Sequence, residues 1–187
     1  GRSAKPGWAF SRQAVAAANP LATDAGHQVL RAGGSALDAA IAVQMVLGLV
    51  EPQSSGIGGG AFIMFRRAAD GGIEAWDGRE AAPAAATPAL FLRDGRPMPF
   101  LEAIMGGRAV GVPGTLPVLE AAHRAHGKLP WARLFEPAIR LAEEGFPVSA
   151  RLSREIAADT LPLRRDPASA AYFFSPDGLP LPPGHRL

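Results

Sequence analysis

The stretch Glu51-Pro-Gln-Ser-Ser-Gly-Ile-Gly-Gly-Gly60-Ala-Phe-Ile-Met-Phe65 decides how the chain is read. Gly56, Gly58 and Ala61 fit the letters GxGxxA of a dinucleotide-binding turn. That fingerprint needs a strand before it and a helix after it. Here the order is inverted. The preceding residues, Ala36 to Leu49, are apolar almost all round and read as a buried helix that Glu51-Pro52 stops. The following residues, Ala61 to Phe65, read as a fully buried strand. No Gly-Lys-Ser or Gly-Lys-Thr triplet follows, so a phosphate-cradling loop is excluded. The glycines of 54–60 then serve either a tight turn, through positive φ or close backbone approach, or a loop beside a catalytic centre.

Working outward, Gln13 to Ala18 is expected as a short strand. Asn19-Pro20 is a helix start, with Asn as N-cap and Pro at the first helical position, and Gly33-Gly34 ends that helix near Ala32. Ser35 and Asp38 resemble a capping box for the apolar helix. Downstream, Asp70-Gly-Gly72 is a turn and Ile73 to Trp76 the returning strand, so 61–76 is a hairpin. Asp77 to Glu80 lies at the end of that strand. A Pro- and Ala-rich connection runs to about Phe100, then a short strand is expected over 108–112, broken by Pro113-Gly114. The spacing of Leu116, Leu119 and Ala122 predicts a helix over 115–126, with Thr115 as its N-cap. A further helix is expected from Trp131 to Glu144, ending at Gly145, with shorter helical pieces after Ser149 and around Ala168. Paired strands backed by helices fit α+β layers better than a parallel α/β sheet. No linker divides the chain, so residues 1–187 read as one partial domain.

Composition narrows the function classes. The chain has 187 residues, 48% hydrophobic and only 7% aromatic, so small aliphatic side chains must fill the core. Net charge is +2 with scattered Arg and only two lysines, Lys5 and Lys128; no basic stripe for nucleic acid is present. The absence of Cys removes disulfides, thiolate metal sites and a Cys nucleophile. The apolar run 36–50, interrupted by Asp38 and Gln44, is too short to span a membrane. The first residue is Gly1 rather than Met, as expected of a processed or engineered start with no signal peptide left to read.

Few side chains announce chemistry. His123 and His126 lie three apart on a predicted helix without a third metal ligand nearby, and read as surface residues; His27 sits among polar helical positions. No GxSxG elbow accompanies any His. Arg79 stands out: a cation at the end of a core strand, able to hold a carboxylate through two parallel hydrogen bonds. A structural ion pair with Asp77 or Glu80 accounts for it equally well from the residues alone.

Read together, several segments resemble one family. Asn19-Pro-Leu-Ala22, Gly33-Gly-Ser-Ala-Leu-Asp-Ala-Ala40, Glu51 to Gly60, Asp77-Gly-Arg-Glu80, Gly111-Val-Pro-Gly-Thr115, Gly127-Lys-Leu-Pro-Trp131 and Glu136 to Pro147 occur in this order in gamma-glutamyltranspeptidases. The resemblance covers residue 13 to the end. It implies an α+β fold, the four-layer αββα sandwich of N-terminal-nucleophile hydrolases, of which this chain is the N-terminal portion of the large subunit. It implies a precursor that cuts itself, and a small-subunit partner whose new N-terminal Thr attacks the γ-amide of glutathione or a related γ-glutamyl compound. It implies that Arg79 is substrate-binding, gripping the α-carboxylate. It implies no metal or organic cofactor, and by family habit a periplasmic or extracellular place. Thr23, Thr87, Thr115 and Thr160 do not begin the family's nucleophile motif, so no catalytic residue is expected in this chain, which alone is expected to be inactive and short of opposing layers. A cephalosporin- or glutaryl-acylase-type amidase of the same fold and a non-catalytic fragment remain the alternatives.

Overall fold

The structure, a computed structural model, describes residues 9–158 and 160–187. Helix α1 (Pro20–Arg31) opens as its sequence requires: the Asn19 side chain accepts a hydrogen bond from the Leu21 N–H at 3.0 Å. It closes on Gly33, whose φ of +92° is the left-handed conformation glycine favours. Helix α2 (Ala36–Val50) begins with a reciprocal capping box: the Asp38 N–H donates to the Ser35 hydroxyl, and the Ser35 N–H donates to the Asp38 carboxylate. Asp38 substitutes for the usual Glu or Gln at no loss of either bond.

Helix α2 is the shaft of the molecule. Val46 and Val50 join α1 and the C-terminal segments in one core cluster, with Leu152, Ile156, Phe146 and Leu181. Leu37, Ile41, Ala42 and Met45 join a second cluster with Val118, Leu119, Ala122 and Leu134. A helix buried by two clusters cannot keep a polar face, which explains its all-round apolar sequence. Each fully buried Leu or Ile contributes roughly 1.5–3 kcal/mol.

Strands β1 (Ala61–Arg66) and β2 (Ile73–Gly78) form the antiparallel hairpin, in register Ala61↔Gly78 through Arg66↔Ile73. The expectation of a fully buried strand fails. Ala61, Ile63, Phe65 and Trp76 pack inward, but Phe62, Met64 and Ile73 point away from the core and are 64%, 72% and 68% exposed. Side chains alternate across a strand, and no second layer covers the outer face among the described residues.

Three further expectations are corrected. Residues 13–18 run as irregular chain rather than a strand, because no described strand lies alongside to pair with them. The connection before Phe100 holds a small hairpin, β3 (Leu92–Arg93) and β4 (Arg96–Pro97), turned by Asp94 and Gly95, both at positive φ. Residues 108–112 are not a strand: Gly107–Ala109 is a 3-10 turn that follows α3 (Phe100–Ile104), and only Val112 pairs, in an isolated bridge to Ala81.

Helix α4 (Thr115–His126) forms as expected, but Gly114 occupies the N-cap position; Thr115 is the first helical residue and its hydroxyl caps nothing. The helix expected from Trp131 is split into a 3-10 turn, Trp131–Leu134, and α5 (Glu136–Glu144), closed by Gly145 at φ +78°. Helices α6 (Ala150–Ala158), α7 (Thr160–Arg165) and α8 (Pro167–Phe173) complete the chain. The architecture is α+β.

Candidate functional site

Three glycine-bearing segments converge where β1 begins, β2 ends and α4 begins. The Gly59 carbonyl accepts the N–H groups of Gly114 and Thr115 at 3.0 and 3.1 Å. Ala81 and Val112 exchange backbone bonds beside it, at 3.3 and 2.8 Å. The approach is too close for side chains. A Cβ on Gly114 would overlap the Gly78 carbonyl, one on Gly78 would overlap Val118, and one on Gly60 would stand 2.6 Å from the Glu80 carboxylate and 2.8 Å from the Gly78 carbonyl. Close backbone approach, not positive φ, is therefore the need that Gly60 meets; Gly56 and Gly58 face open space.

That junction fixes the backbone that carries Arg79. The Arg79 N–H donates to Asp77 Oδ1 at 2.9 Å, a local turn that aims the residue out of the strand. Arg79 is exposed, and among the described residues no carboxylate lies within salt-bridge distance of its guanidinium. Asp77 is occupied by the backbone rather than by the cation. Glu80 turns its carboxylate the other way, against Gly59 and Gly60. The structural ion pair foreseen as one explanation of Arg79 is thus not formed. Arg79 instead lines a cleft of about 340 Å³ with Glu80, Leu90, Phe91, Arg108 and Gly111. Sequence reasoning passed over Arg108; its one signal was a basic residue just before the Gly-Val-Pro-Gly segment. On the other side of Glu80, the 53–60 loop and Gln44 enclose a polar cleft of about 490 Å³.

The loop is anchored from below. Glu51, 2% exposed, accepts from the Asn19 side chain at 3.0 Å and from the Gln53 side chain at 2.6 Å. Its own carbonyl accepts the Ser54 and Ser55 N–H groups. One buried carboxylate thereby joins the start of α1 to the end of α2 and the entry to the glycine loop.

The histidines stand apart from the cleft, and the surface reading of two of them is corrected. His123 is 15% exposed; its Nε2 lies 2.9 Å from the Leu129 carbonyl and 3.6 Å from Asp38. Asp38 is wholly buried and accepts the Lys128 and Leu129 N–H groups, holding the loop after α4 onto the start of α2. His126, 19% exposed, meets Glu74 at 2.7 Å and stacks on Phe65. Packing of this helix face against the hairpin and the following loop leaves both rings largely covered. His27 is exposed. Arg67 continues the His126–Glu74 contact to Asp70. Hydrogen bonds from Arg67 and from the Gly72 N–H lower the Asp70 carboxyl to about 2, and those from His126 and Arg67 lower Glu74. Among the described residues no three His, Asp or Glu side chains assemble for a metal ion, and no helix is long and apolar enough to cross a membrane.

No threonine is set up as a nucleophile among the described residues. Thr115 is buried with an unpartnered hydroxyl, Thr160 donates to the Ile156 and Ala157 carbonyls at the end of α6, Thr23 bonds to the Asn19 carbonyl, and Thr87 lies exposed on the connecting segment.

Comparison with known proteins bears on this arrangement. The sequence model of the gamma-glutamyltranspeptidase family matches residues 22–187. A glutathione hydrolase proenzyme of Bacillus subtilis is 44% identical over 174 residues, 92% of this chain and 29% of that relative. The chain thus spans less than a third of its length. The crystal structure of Helicobacter pylori gamma-glutamyltranspeptidase superposes with a TM-score of 0.90 at 34% identity, over 97% of this chain and 52% of that one. A cephalosporin acylase from Bacillus halodurans is more distant, with a TM-score of 0.71 at 29% identity, over 98% of this chain and 36% of that one.

Proposed function

Because this chain belongs to the gamma-glutamyltranspeptidase family, we propose that it forms part of an enzyme that cleaves γ-glutamyl amides, glutathione among them, and passes the γ-glutamyl group to water or to an amino-acid or peptide amine. Its α+β architecture is part of the N-terminal-nucleophile hydrolase fold. Residues 1–187 are one partial domain of the large subunit. The partner is a small subunit bearing the Thr nucleophile, in a periplasmic or extracellular setting.

In this reading Arg79 grips the α-carboxylate of the γ-glutamyl group with two parallel hydrogen bonds. The observation that carries it is a guanidinium that meets no carboxylate among the described residues, on a residue that lines a cleft and on a backbone locked by the glycine junction. The chemistry follows from the partner's Thr. Its free α-amine takes the hydroxyl proton, its oxygen bonds to the γ-carbonyl carbon, and the leaving amine departs with a proton. Backbone and side-chain donors stabilise the oxyanion. Water or an acceptor amine then displaces the Thr from the resulting ester.

The test uses the matured protein from its complete coding sequence and three anilides. The γ-glutamyl anilide carries both α-carboxylate and α-amine, the glutaryl anilide lacks the amine, and the 4-aminobutyryl anilide lacks the carboxylate. The γ-glutamyl anilide is expected to be the best of the three. Arg79→Gln is expected to raise its KM by roughly 10- to 100-fold, with little effect on the compound lacking the carboxylate. Preference for the glutaryl compound moves the assignment to an amidase, the reading that the likeness to the cephalosporin acylase favours. Equal sensitivity of all three to Arg79→Gln removes the carboxylate grip.

A further inference from the structure

Resting on the γ-glutamyl reading, we infer that Arg108 forms a second carboxylate subsite in the Arg79 cleft, so that the site selects γ-glutamyl compounds whose leaving portion also carries a carboxylate. Arg108 lies on the 3-10 turn Gly107–Ala109, across the cleft from the end of β2. The bridge between Ala81 and Val112 holds the two walls together. Its guanidinium is oriented: Nη1 donates to the Leu90 carbonyl at 2.7 Å. Among the described residues no carboxylate neutralises it, and its remaining N–H groups have no protein acceptor.

The cleft therefore presents two arginines, Arg79 and Arg108, beside an apolar wall of Leu90 and Phe91, while Glu80 lines it with its stem and turns its carboxylate toward Gly59 and Gly60. A γ-glutamyl peptide such as glutathione matches these two cations with two carboxylates, joined by a short middle. At about 340 Å³ the cleft falls at the small end of the range for small-molecule sites. A guanidinium tethered by one donor keeps its other donors in a fixed plane, which suits a carboxylate better than a mobile ammonium would.

The experiment compares kcat/KM of the matured protein for glutathione and for glutathione amidated at its glycyl carboxylate. Wild type is expected to prefer the free acid by about tenfold, the effect of one charge-assisted contact. Arg108→Gln, which keeps a donor for the Leu90 carbonyl but not the charge, is expected to bring the ratio close to one; Arg108→Lys, which keeps the charge but not the fixed plane of donors, is expected to keep only part of it. A wild-type ratio near one, or a ratio that Arg108→Gln leaves unchanged, overturns the subsite. The wild-type ratio needs no variant, so a misfolded variant does not protect the inference. If wild type cleaves both compounds without preference, the subsite falls and the γ-glutamyl function stands. If it cleaves neither, both fall together.

Discussion

Gly114 and Gly58 belong to segments that read alike in sequence and do different work. At Gly114 the missing side chain makes room for the Gly78 carbonyl; at Gly58 nothing lies within 4 Å of an added Cβ, and φ is not positive. Gly114→Ala is accordingly expected to destabilise by about 1–3 kcal/mol, and Gly58→Ala to change stability by less than about 0.5 kcal/mol. Urea unfolding of the two variants checks this. The residue scale also marks the limit of reading a sequence. Asn19 as N-cap and the Ser35–Asp38 box were legible, because the bonds they make are local. Thr115 as N-cap was not: its segment is pinned by Gly59, far away in sequence, and Gly114 takes the cap position. Arg79 was legible as the cation that follows a core strand, but whether it is paired depends on Glu80 turning toward the glycine loop, which no local pattern encodes.

At the scale of elements, local signals carried the reading: caps for α1, an apolar run with its capping box for α2, a turn for the β1–β2 hairpin and helical spacing for α4. It failed where pairing depends on distant partners, as for the supposed strand at 13–18. It failed again where a turn signal was buried in a Pro- and Ala-rich stretch: Asp94-Gly95, with both residues at positive φ, closes β3 onto β4. The link between the hairpin and α4 makes a pH prediction. Asp70, at about 2, and Glu74 both titrate below the ordinary carboxylate range in the folded protein. A lowered folded value stabilises the fold above the unfolded value and loses that contribution as pH falls through the folded one. The melting temperature is expected to drop as pH is lowered from roughly 5 to 2, and to drop less in the Asp70→Asn, Glu74→Gln double variant. Both carboxylates are solvent-accessible, so added salt is expected to shrink the difference. A double variant that follows the wild-type profile argues that other carboxylates govern acid unfolding.

At the scale of the whole molecule, the hairpin's outer face is the strongest structural fact. Phe62, Met64 and Ile73 form an apolar surface on a two-stranded sheet with no layer over it among the described residues, and such surfaces mark contact with something else. The curated relatives it matches are more than three times as long, which agrees with the expectation of a missing opposing layer. The α+β class was readable from the chain alone, whereas the second sheet of the sandwich entered only through family resemblance. The same division applies to chemistry: this chain places Arg79 in a cleft, where the proposed carboxylate grip would sit, and none of Thr23, Thr87, Thr115 and Thr160 is set up as an activated nucleophile. The most direct measurement is a crystal structure of the matured protein, from its complete coding sequence, with L-glutamate bound. The account predicts the α-carboxylate paired with the Arg79 guanidinium at roughly 2.7–2.9 Å, and the γ-carboxyl carbon facing a Thr that lies beyond Leu187. An α-carboxylate held by another cation with Arg79 turned away, or a γ-carboxyl group seated against one of this chain's four threonines, would contradict it.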